Sequence, residues 1–417
     1  MTKIMFQNLY KKNRKRLQKR MEKESVALFF SNYKMPRNGD QYFPFRQQSD
    51  LFYLSGIKQP KTILLLSDEE EMLLIEKPNT QNSLWEGNLL SEEEASDISG
   101  IENIKYSANF QEIFQKIISS KKTVYFNTTV KIPQEEIKTK DEYFLDWFRE
   151  TYPYHQYKNI KPELVKLRMV KEPEEIQSIQ EAIRITEQAF SQLVRVIRPG
   201  KNEKEIEARL RYEFMLRGCN YPSFDPVIAA GKNACTLHYT NNNTKMQNGD
   251  LLLMDIGAES NYYATDISRT VPVNGKFTEK QKKCYKAVLD VLHETIRQIV
   301  PGMTLKQLNN FSKERLTEKH LSLGLYSQKE NKEKGLVNKY FPHSVSHFMG
   351  IDVHDYGSKE VSLEKGMVIT CEPGLYIPEE NTGIRIEDDI LVDDKPVNLA
   401  ENIPKTAEEI EEIMHAS

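Results

Sequence analysis

Two stretches decide the fold of this chain: residues 238–257, HYTNNNTKMQNGDLLLMDIG, and residues 354–374, HDYGSKEVSLEKGMVITCEPG. Each begins with a histidine, crosses a polar segment to a glycine and continues into an apolar run. Six residues after the glycine comes an acid, Asp255 in the first copy and Glu372 in the second. A carboxylate at the end of a buried strand is costly unless a cation meets it. The repetition therefore predicts two half-domains that present carboxylates to one shared site.

The similarity between the halves extends upstream of these stretches. An amphipathic helical pattern ends at Pro199–Gly200, and Asn202 then has the sequence context of a helix N-cap. Later in the chain a second helical pattern ends at Pro301–Gly302, and Thr304 takes the same N-cap position. Because there are only two copies, we interpret the pattern as an internal duplication of a half-domain and not as a solenoid.

The residues before the duplication have a different organisation. Helical stretches alternate with short apolar runs, which predicts the strands of an α/β domain. These runs are residues 26–30, 51–54, 62–66, 72–75 and 123–126. Residues 151–162 are rich in Tyr, Pro and His without periodicity, and they mark the predicted boundary. We therefore predict an α+β protein with a smaller α/β domain over residues 1–158 and a repeat-containing catalytic domain over residues 159–417.

Composition limits the classes of function. The chain has 417 residues, and 58 Lys+Arg against 61 Asp+Glu give a formal net charge of -3. This balance argues against a dedicated nucleic-acid-binding protein, and we interpret the basic stretch 11–23 as the solvated face of an N-terminal helix. The apolar runs are too short to cross a membrane, and the first residues show no apolar targeting segment. Four cysteines without CxxC spacing predict free thiols in a reducing, cytoplasmic compartment.

The first acid-ended strand leads into a predicted hairpin. Ser260–Asn261 has the composition of a two-residue turn, since Asn tolerates positive φ. A hairpin centred there places Asp255 directly opposite Asp266, with about 5 Å between their Cβ atoms. Two like charges that face each other across a hairpin repel, and a divalent cation between them removes the repulsion.

The second acid-ended strand has a corresponding partner. Residues 383–390 alternate as a strand that places Arg385 and Glu387 on one face, so that Glu387 is predicted to return beside Glu372. Taken alone, Glu387 and the two acids after it would fit a solvated acidic run. The matched positions of the acids in both halves favour a metal site instead.

Four carboxylates require more than one cation. The neutral ligand is predicted within residues 341–350, which hold His343 and His347, although this spacing also fits the surface of a helix. Oxygen-rich ligation with one imidazole favours Mn²⁺, with Co²⁺, Fe²⁺ or Zn²⁺ as alternatives. Two such ions can hold a bridging hydroxide and polarise a carbonyl group at the same time.

These residues resemble the metal-dependent aminopeptidase P/prolidase family, whose catalytic domain has the pita-bread fold. The matching catalytic motifs are His238-Tyr-Thr, Asp255-Ile-Gly, Asp266-Ile-Ser-Arg-Thr, HSVSHFMGIDVHD at 343–355, Glu372-Pro-Gly-Leu-Tyr and Gly383-Ile-Arg-Ile-Glu-Asp-Asp. The stretch LRMVKEPEEI at 167–176 is also typical of the family, and DQYFPFRQQSDLFYLSG at 40–56 resembles the aminopeptidase P amino-terminal domain. Ser344 departs from the family, which commonly has glycine there.

The resemblance implies an Xaa-Pro aminopeptidase, which hydrolyses the bond before a proline at the second position of a peptide. Two metal ions would be held by five ligands: Asp255, Asp266, His347, Glu372 and Glu387. In the family, the residues at the positions of Asp266 and Glu387 bridge the two ions. All five are present, whereas creatinase, a relative, has lost them. The family resemblance also implies a homodimer or a homotetramer.

The remaining site residues receive roles from the chemistry that this reaction requires. Glu372 is the predicted proton shuttle, and His238 and His354 would hydrogen-bond the substrate carbonyl and the developing oxyanion. His343 is predicted beside the substrate or behind the ligands, and Arg385 would orient carboxylates.

Substrate contacts and alternatives complete the predictions. Tyr239, Phe348 and Tyr376 are candidate walls for the proline ring. Trp85 falls where family members often have an aromatic residue that reaches a neighbouring subunit's site. The alternative function within the family is a prolidase, which cleaves Xaa-Pro dipeptides. The alternative from another class is a non-catalytic binding scaffold with the same fold.

Overall fold

The computed structural model describes residues 2–79, 84–85, 87–128 and 138–415. The chain divides into two compact units, Met1–Arg168 and Met169–Ser417. The predicted boundary after residue 158 precedes this division. Segment 151–162, which we interpreted as a boundary, contains a strand that pairs with the sheet of the first unit. Within the described ranges, none of the helices combines the length and the apolar character that a membrane span requires.

The first unit alternates helices and strands around one sheet. Its helices are α1 (Thr2–Gln18), α2 (Ser49–Ser55), α3 (Glu92–Ser99), α4 (Phe110–Ile118), α5 (Lys140–Thr151) and α6 (Lys161–Met169), with a 3-10 turn at Ser107–Asn109. Its strands are β1 (Ser25–Phe30), β2 (Pro36–Asn38), β3 (Gln41–Tyr42), β4 (Ile63–Ser67), β5 (Glu71–Ile75), β6 (Ile104–Tyr106), β7 (Thr123–Phe126) and β8 (Gln156–Asn159). The described part of the sheet has the order β6-β5-β4-β1-β7-β8. Strand β1 pairs antiparallel with β4 and parallel with β7.

The core of the first unit follows from the alternation along β1. Val26, Leu28 and Phe30 point to one face of the sheet. There they pack with Phe114 of α4 and Phe148 of α5, both of which are fully buried. The other face of β1 is also covered, since all six of its residues are buried. This explains why the sequence of β1 is a continuous apolar run and does not alternate with polar residues.

Four of the five predicted strands of this unit are confirmed, and the fifth is wrong. Residues 51–54 belong to helix α2, whose first turn is capped by the Gln48 side chain, which accepts a hydrogen bond from the Leu51 N–H at 2.8 Å. Gly56 ends the helix with a φ of 70°. A short apolar run that is buried on all sides has no periodicity that separates helix from strand.

An acidic pair is buried at the centre of the first unit. Asp50 accepts hydrogen bonds from Arg168 Nη1 and Lys161 Nζ, each at 2.8 Å. Although burial alone raises the pKa of Asp50, these two cations hold it well below its usual range. Among the described residues, no cation is hydrogen-bonded to Asp141, although the charge of Lys161 lowers its pKa somewhat. Burial and the neighbouring charge of Asp50 raise the pKa of Asp141 to about 8, against a hydrogen bond from the backbone of Asn127.

We expect Asp141→Asn to stabilise the protein at pH 8 and to change its stability little at pH 4. The carboxyl group has an ordinary pKa of 3.8 but keeps its proton in the folded protein up to about pH 8. At a pH between these two pKa values, the chain therefore binds a proton when it folds. The free energy of unfolding consequently falls as the pH rises through this range. The variant lacks this penalty, so its advantage should grow to several kcal/mol at pH 8, with about 5 kcal/mol as the upper limit.

Calorimetric scans of both proteins between pH 4 and 8.5 measure this difference. Asp40→Asn, at an exposed position of the same unit, is the matched control and should show no pH-dependent gain. A difference between Asp141→Asn and the unmodified protein that stays constant across the pH range would contradict the assignment of the buried proton.

The second unit consists of helices around several small sheets. Its helices are α7 (Pro173–Leu193), α8 (Glu203–Leu216), α9 (Glu279–Ile296), α10 (Leu305–Ser322), α11 (Gln328–Lys334), α12 (Val337–Tyr340) and α13 (Ala407–His415), with 3-10 turns at Val194–Val196, Gly231–Cys235 and Pro378–Glu380. Its strands are β9 (Val227–Ala230), β10 (Leu251–Ile256), β11 (Glu259–Ser260), β12 (Tyr263–Ala264), β13 (Ile267–Pro272), β14 (Val368–Cys371), β15 (Gly374–Ile377), β16 (Thr382–Arg385), β17 (Asp388–Leu391) and β18 (Val397–Asn398). The sheets have the orders β13-β10-β9, β11-β12, β14-β17-β18 and β15-β16.

Matching backbone hydrogen bonds confirm the internal repeat. Gly200 and Gly302, which follow the two prolines, both have a φ of 92°. The N–H of Gly200 donates to the carbonyl of Met246 at 2.9 Å, and the N–H of Gly302 donates to the carbonyl of Leu363 at 2.8 Å.

The capping predictions for the two halves are also confirmed. Asn202 forms a capping box with Glu205 at the start of α8, and Thr304 forms one with Gln307 at the start of α10. Each half thus brings its capped helix against the polar segment that precedes its acid-ended strand.

Candidate active site

The first pair of acids lies on the β10–β13 hairpin, in a register that differs from the prediction. The turn residues are Asn261 and Tyr262, with φ of 49° and 70°, because a tight hairpin turn favours positive φ at both central residues. The turn predicted at Ser260–Asn261 was therefore one residue too early. Asp255 faces Ser268, and Asp266 is its diagonal neighbour on the same face of the hairpin. The predicted direct opposition of the two aspartates is wrong, but both carboxylates still point to the same side.

The second pair of acids is arranged as predicted. Cys371 pairs with Asp388, and Gly374 pairs with Arg385, so the register between these pairs places Glu372 opposite Glu387. The backbone N–H of Glu387 donates to the carbonyl of Ser268 at 3.1 Å, which joins the second hairpin to the first. The four carboxylates therefore come from two hairpins, one in each half of the repeat.

His347 is brought to these carboxylates by a segment that lies along β14. Its Nδ1 is 3.0 Å from the carbonyl oxygen of Phe348, which fixes the proton on Nδ1 and leaves Nε2 as an acceptor. Nε2 lies 3.3 Å from Asp266 Oδ2 and 3.8 Å from Glu372 Oε1. Ligand atoms of Asp266, His347 and Glu387 all lie within 4.8 Å of one another, so the three residues can hold a metal ion.

The electrostatics of the cluster favour a cation. Burial and the charge of Asp255 raise the pKa of Asp266 well above its usual value, and burial and the charge of Asp266 do the same for Glu387. Burial raises the pKa of Glu372 to about 7. Among the described residues, Asp255 Oδ1, Asp266 Oδ1 and Glu387 Oε1 are buried without a hydrogen-bond partner. Buried carboxylate oxygens of this kind are the donor set that hard divalent ions require.

Arg385 is the fixed cation beside the carboxylates. Its side chain is 5% exposed, and its Nη2 donates to Asp255 Oδ2 at 2.6 Å. Its Nε donates to Ser268 Oγ at 2.8 Å, and Ser268 Oγ donates to Glu387 Oε2 at 2.8 Å. Arg385 therefore orients one carboxylate of each hairpin, directly in one case and through a hydroxyl group in the other.

Tyr376 connects Arg385 to His343. Arg385 Nη1 donates to the Tyr376 hydroxyl at 3.0 Å, and this hydroxyl lies 2.8 Å from His343 Nε2. His343 Nδ1 lies 2.8 Å from the carbonyl oxygen of Ser344 and so carries the proton. Burial and the charge of Arg385 lower the pKa of His343 to about 3, so the ring is neutral and accepts from the tyrosine. Serine in place of the usual glycine at 344 leaves this carbonyl contact in place.

The two repeated histidines are brought to the same side of the site. The ring of His354 stands perpendicular to the ring of His347, with 4.5 Å between their centroids. Burial and the charges of His347 and His238 lower the pKa of His354, so His238 acts on it electrostatically. His238 and His354 are both exposed.

The predicted substrate walls have different surroundings. The Tyr239 hydroxyl donates to Glu203 Oε2 at 2.9 Å. Phe348 is 2% exposed and its ring lies against Gly357, while Tyr376 is buried in the network described above. Trp85, in the first unit, is 89% exposed. Substrate binding by these four residues stays a prediction.

Two supporting residues were missed in the sequence. Ser268 links Arg385 to Glu387, and Asp389 accepts hydrogen bonds from Thr265 Oγ1 at 2.5 Å and from the Asp266 N–H at 3.2 Å. The alternation of the DISRT motif could have indicated Ser268, since it lies two residues beyond Asp266 on the same face. Asp389 could not have been found, because its contact joins the two halves of the chain.

Comparison with known protein families agrees with this geometry. Residues 177–394 match the family described as metallopeptidase family M24, and residues 10–125 match the aminopeptidase P N-terminal domain. The chain belongs to metallopeptidase family M24. Within it, the amino-terminal match places the chain in the aminopeptidase P family, with an α/β first domain and a pita-bread catalytic domain.

Individual M24 relatives align over nearly the whole chain. The chain is 32% identical to the Xaa-Pro aminopeptidase of Haemophilus influenzae, with 97% of both sequences covered. It is 30% identical to the mitochondrial intermediate cleaving peptidase 55 of Arabidopsis thaliana, with 96% of this chain and 82% of the relative covered. A zinc-substituted Escherichia coli aminopeptidase P in complex with product superimposes with a TM-score of 0.91 at 29% identity, with 98% of both chains covered.

Proposed function

We propose that this M24 metallopeptidase is an Xaa-Pro aminopeptidase, which releases the first residue of peptides with proline at the second position. The observation that carries the proposal is the joint presence of four carboxylates, a histidine whose Nε2 faces them and two exposed histidines. Asp266 and Glu387 are buried, and Asp255 and Glu372 are half-buried. The relatedness to an Xaa-Pro aminopeptidase over 97% of both chains supports the substrate class.

Two divalent ions, with Mn²⁺ as the first candidate, would be held by the five proposed ligands. These are Asp255, Asp266, His347, Glu372 and Glu387. The unpartnered oxygens of three of them and the raised pKa values of Asp266 and Glu387 fit such ions. When bound, the ions would supply Lewis-acid activation of water and of the scissile carbonyl. Mn²⁺ is preferred because the donor set is rich in oxygen and has one imidazole.

The chain's own residues would move the proton and receive the substrate. Glu372 has its Oε2 3.4 Å from His343 Nδ1 and its Oε1 facing His347, so it can take a proton from water and pass it to the leaving nitrogen. His238 and His354 would donate hydrogen bonds to the substrate carbonyl as negative charge develops on its oxygen.

Arg385, Tyr376 and His343 would keep this site in one geometry. Because the tyrosine hydroxyl bonds to both the guanidinium group and the imidazole ring, each member of the network limits the rotation of the next. Such a network lets the carboxylates hold their orientation through the reaction without reorganising.

The family offers two alternatives for the length and sequence of the peptide substrate. A prolidase would cleave Xaa-Pro dipeptides only. Because the chain is also related to intermediate cleaving peptidase 55, the substrate preference of that relative is the second alternative to test. The cytoplasm, a homodimer or homotetramer, and a role for Trp85 at a neighbouring subunit's site are further proposals. Four cysteines without disulfide bonds support a reducing compartment.

A peptide panel tests the proposed function. Enzyme stripped with a chelator and reloaded with Mn²⁺ is expected to release the first residue of Xaa-Pro-Yaa peptides, but not of their N-acetylated forms. Xaa-Ala-Yaa peptides, matched in length, should be cleaved at least about 10-fold more slowly, since only proline presents the ring and the fixed φ. Cleavage confined to the dipeptide would replace the proposal with prolidase activity, and equal cleavage of the alanine peptides would overturn the proline specificity.

A further inference from the structure

Lys171 is a buried lysine in the stretch 167–176, for which the proposed chemistry gives no role. Its side chain is 1% exposed, and its Nζ lies 3.7 Å from Asp355 Oδ2, whose side chain is 2% exposed. Lysine is almost never buried to this degree unless it is paired. Because Asp355 directly follows His354 in the chain, the partner of this lysine belongs to the loop that carries a proposed substrate-side histidine.

The carboxylate of Asp355 fills the inside of that loop. Its backbone N–H donates to the carbonyl of Phe348 at 2.9 Å, and its Oδ1 accepts from the N–H of Tyr356 at 2.7 Å. Its Oδ2 lies only 2.2 Å from the position that a Cβ on Gly350 would take, which explains the glycine at that place. The loop 350–357 is therefore folded around this carboxylate.

Lys171 is itself fastened to the strand that leads to Glu372. Its N–H donates to the carbonyl of Gly366 at 2.8 Å, and Val170 forms a β-bridge with Met367, which precedes β14. Lys171 thus joins the beginning of the Glu372 strand to the loop of His354.

Glu175 is the other acidic group at this position. It is 2% exposed, and its carboxylate accepts hydrogen bonds from the Tyr263 hydroxyl at 3.0 Å and from the N–H of Glu172 at 2.8 Å. Burial raises the pKa of Glu175 to about 7, against the charge of Lys171. Lys171 and Asp355 therefore form an ion pair beside a glutamate that is largely protonated below neutral pH.

The position of His354 depends on its loop. Apart from the ring contact with His347, its imidazole makes no hydrogen bond to any residue that the structure describes. Its side chain is exposed, and the His347 ring is the aromatic ring of the described residues that packs against it. The backbone of residues 350–357 consequently determines where the ring stands.

We infer that Lys171 is a positioning residue for His354: through its buried ion pair with Asp355 it holds the loop 350–357 in the conformation that hydrolysis requires. The inference deepens the proposed function and rests on it for the role of His354. Removal of the lysine charge takes away a positive charge that stabilises the buried Asp355 carboxylate, so we expect the carboxylate to take a proton more readily or to turn outward. Either change releases the loop.

A double-mutant cycle tests the inference by kinetics. Lys171→Met is expected to lower kcat by roughly 10- to 100-fold with a small change in KM, as for other residues that orient catalytic groups. In a His354→Ala background the same substitution should cost little more, because its effect runs through the missing ring. Lys306→Met, which removes a 61% exposed lysine paired with Glu360, is the matched control and should leave kcat unchanged.

Two further measurements separate positioning from general damage. Metal content should stay at the unmodified level in Lys171→Met, while hydrogen exchange of the backbone amides at 350–357 should accelerate. The double variant Lys171→Met/Asp355→Asn, which leaves no unpaired charge, should fold and should recover part of the slow exchange even if the single variant is unstable.

The outcomes distinguish this inference from the proposed function. Full additivity of Lys171→Met and His354→Ala, or unchanged exchange at 350–357, overturns the positioning role. If the unmodified enzyme cleaves no proline peptide, the proposed function fails, whereas the exchange measurements still decide whether Lys171 holds the loop.

Discussion

Asp266→Asn is expected to abolish peptidase activity and, in metal-free protein, to raise the melting temperature. The two effects have opposite signs because the carboxylate serves metal binding at the expense of stability. Its Oδ1 is buried without a partner in the described part of the chain, and burial and Asp255 raise its pKa. Asparagine has the same shape without the charge. We expect activity to fall at least about 10³-fold, as for the loss of an essential catalytic group.

The expected gain in the metal-free state is about 1 kcal/mol, or roughly 2–4 °C in a unit of this size. Calorimetry with a chelator, and then with Mn²⁺, measures it. The unmodified protein should gain stability from Mn²⁺ by mass action, whereas the variant should gain little. The order of the two melting temperatures should therefore invert when the ion is added.

Asp225→Asn is the matched control, since this carboxylate is 83% exposed and its loss should change neither activity nor the response to Mn²⁺. Full activity of Asp266→Asn would overturn the proposed metal chemistry, whereas a lack of activity in the unmodified, Mn²⁺-loaded protein would favour the non-catalytic scaffold. A metal-free variant that melts below the unmodified protein would contradict the repulsion argued for the carboxylate cluster.

Arg385→Met should produce the largest loss of stability. The guanidinium group is 5% exposed and contacts Asp255, Ser268 and Tyr376 at 2.6–3.0 Å. Removing one partner of a buried ion pair strands the other charge, which costs about 3–5 kcal/mol. Urea unfolding of the metal-free proteins measures this loss. Activity should fall by at least about 10²-fold, because the orientation of Asp255 and Glu387 depends on the same group.

Two comparisons locate the cause of the Arg385→Met effect. Tyr376→Phe removes only the hydroxyl between Arg385 and His343 and should cost about 1–2 kcal/mol. Arg184→Met, at a 51% exposed ion pair, should be nearly neutral. Excess Mn²⁺ should recover part of the stability of Arg385→Met, since an added cation compensates the stranded carboxylates. If Arg385→Met were as stable as Arg184→Met, the ion pair between Arg385 and Asp255 would not stabilise the site.

Asp255 and Glu372 could be predicted because each terminates an apolar run, and an acid in that context stands out from the sequence. The hairpin register could not. It depends on a turn in which Tyr262 has positive φ, and a tyrosine gives no sign of that conformation in the sequence. Helix α2 was missed for a related reason, since burial on every side removes the periodicity that identifies a helix.

Contacts between the two halves were the other part beyond prediction. The carbonyl of Ser268 accepts from the Glu387 N–H, and Asp389 supports Asp266 across more than a hundred residues of sequence. No local pattern encodes such a contact, because it arises only when the halves meet. The proposed ligands and Arg385 were therefore predictable one by one, whereas the Ser268 carbonyl contact and the support from Asp389 were not.

The bond between the Glu387 N–H and the Ser268 carbonyl has a consequence for how the enzyme matures. A nascent or partly folded chain with one finished hairpin holds only two of the carboxylates, too few to retain an ion against competing chelators in the cell. If the four carboxylates hold the ions, we expect ion capture to follow the docking of the halves. Misassembled copies would then bind no ion and would have no peptidase activity.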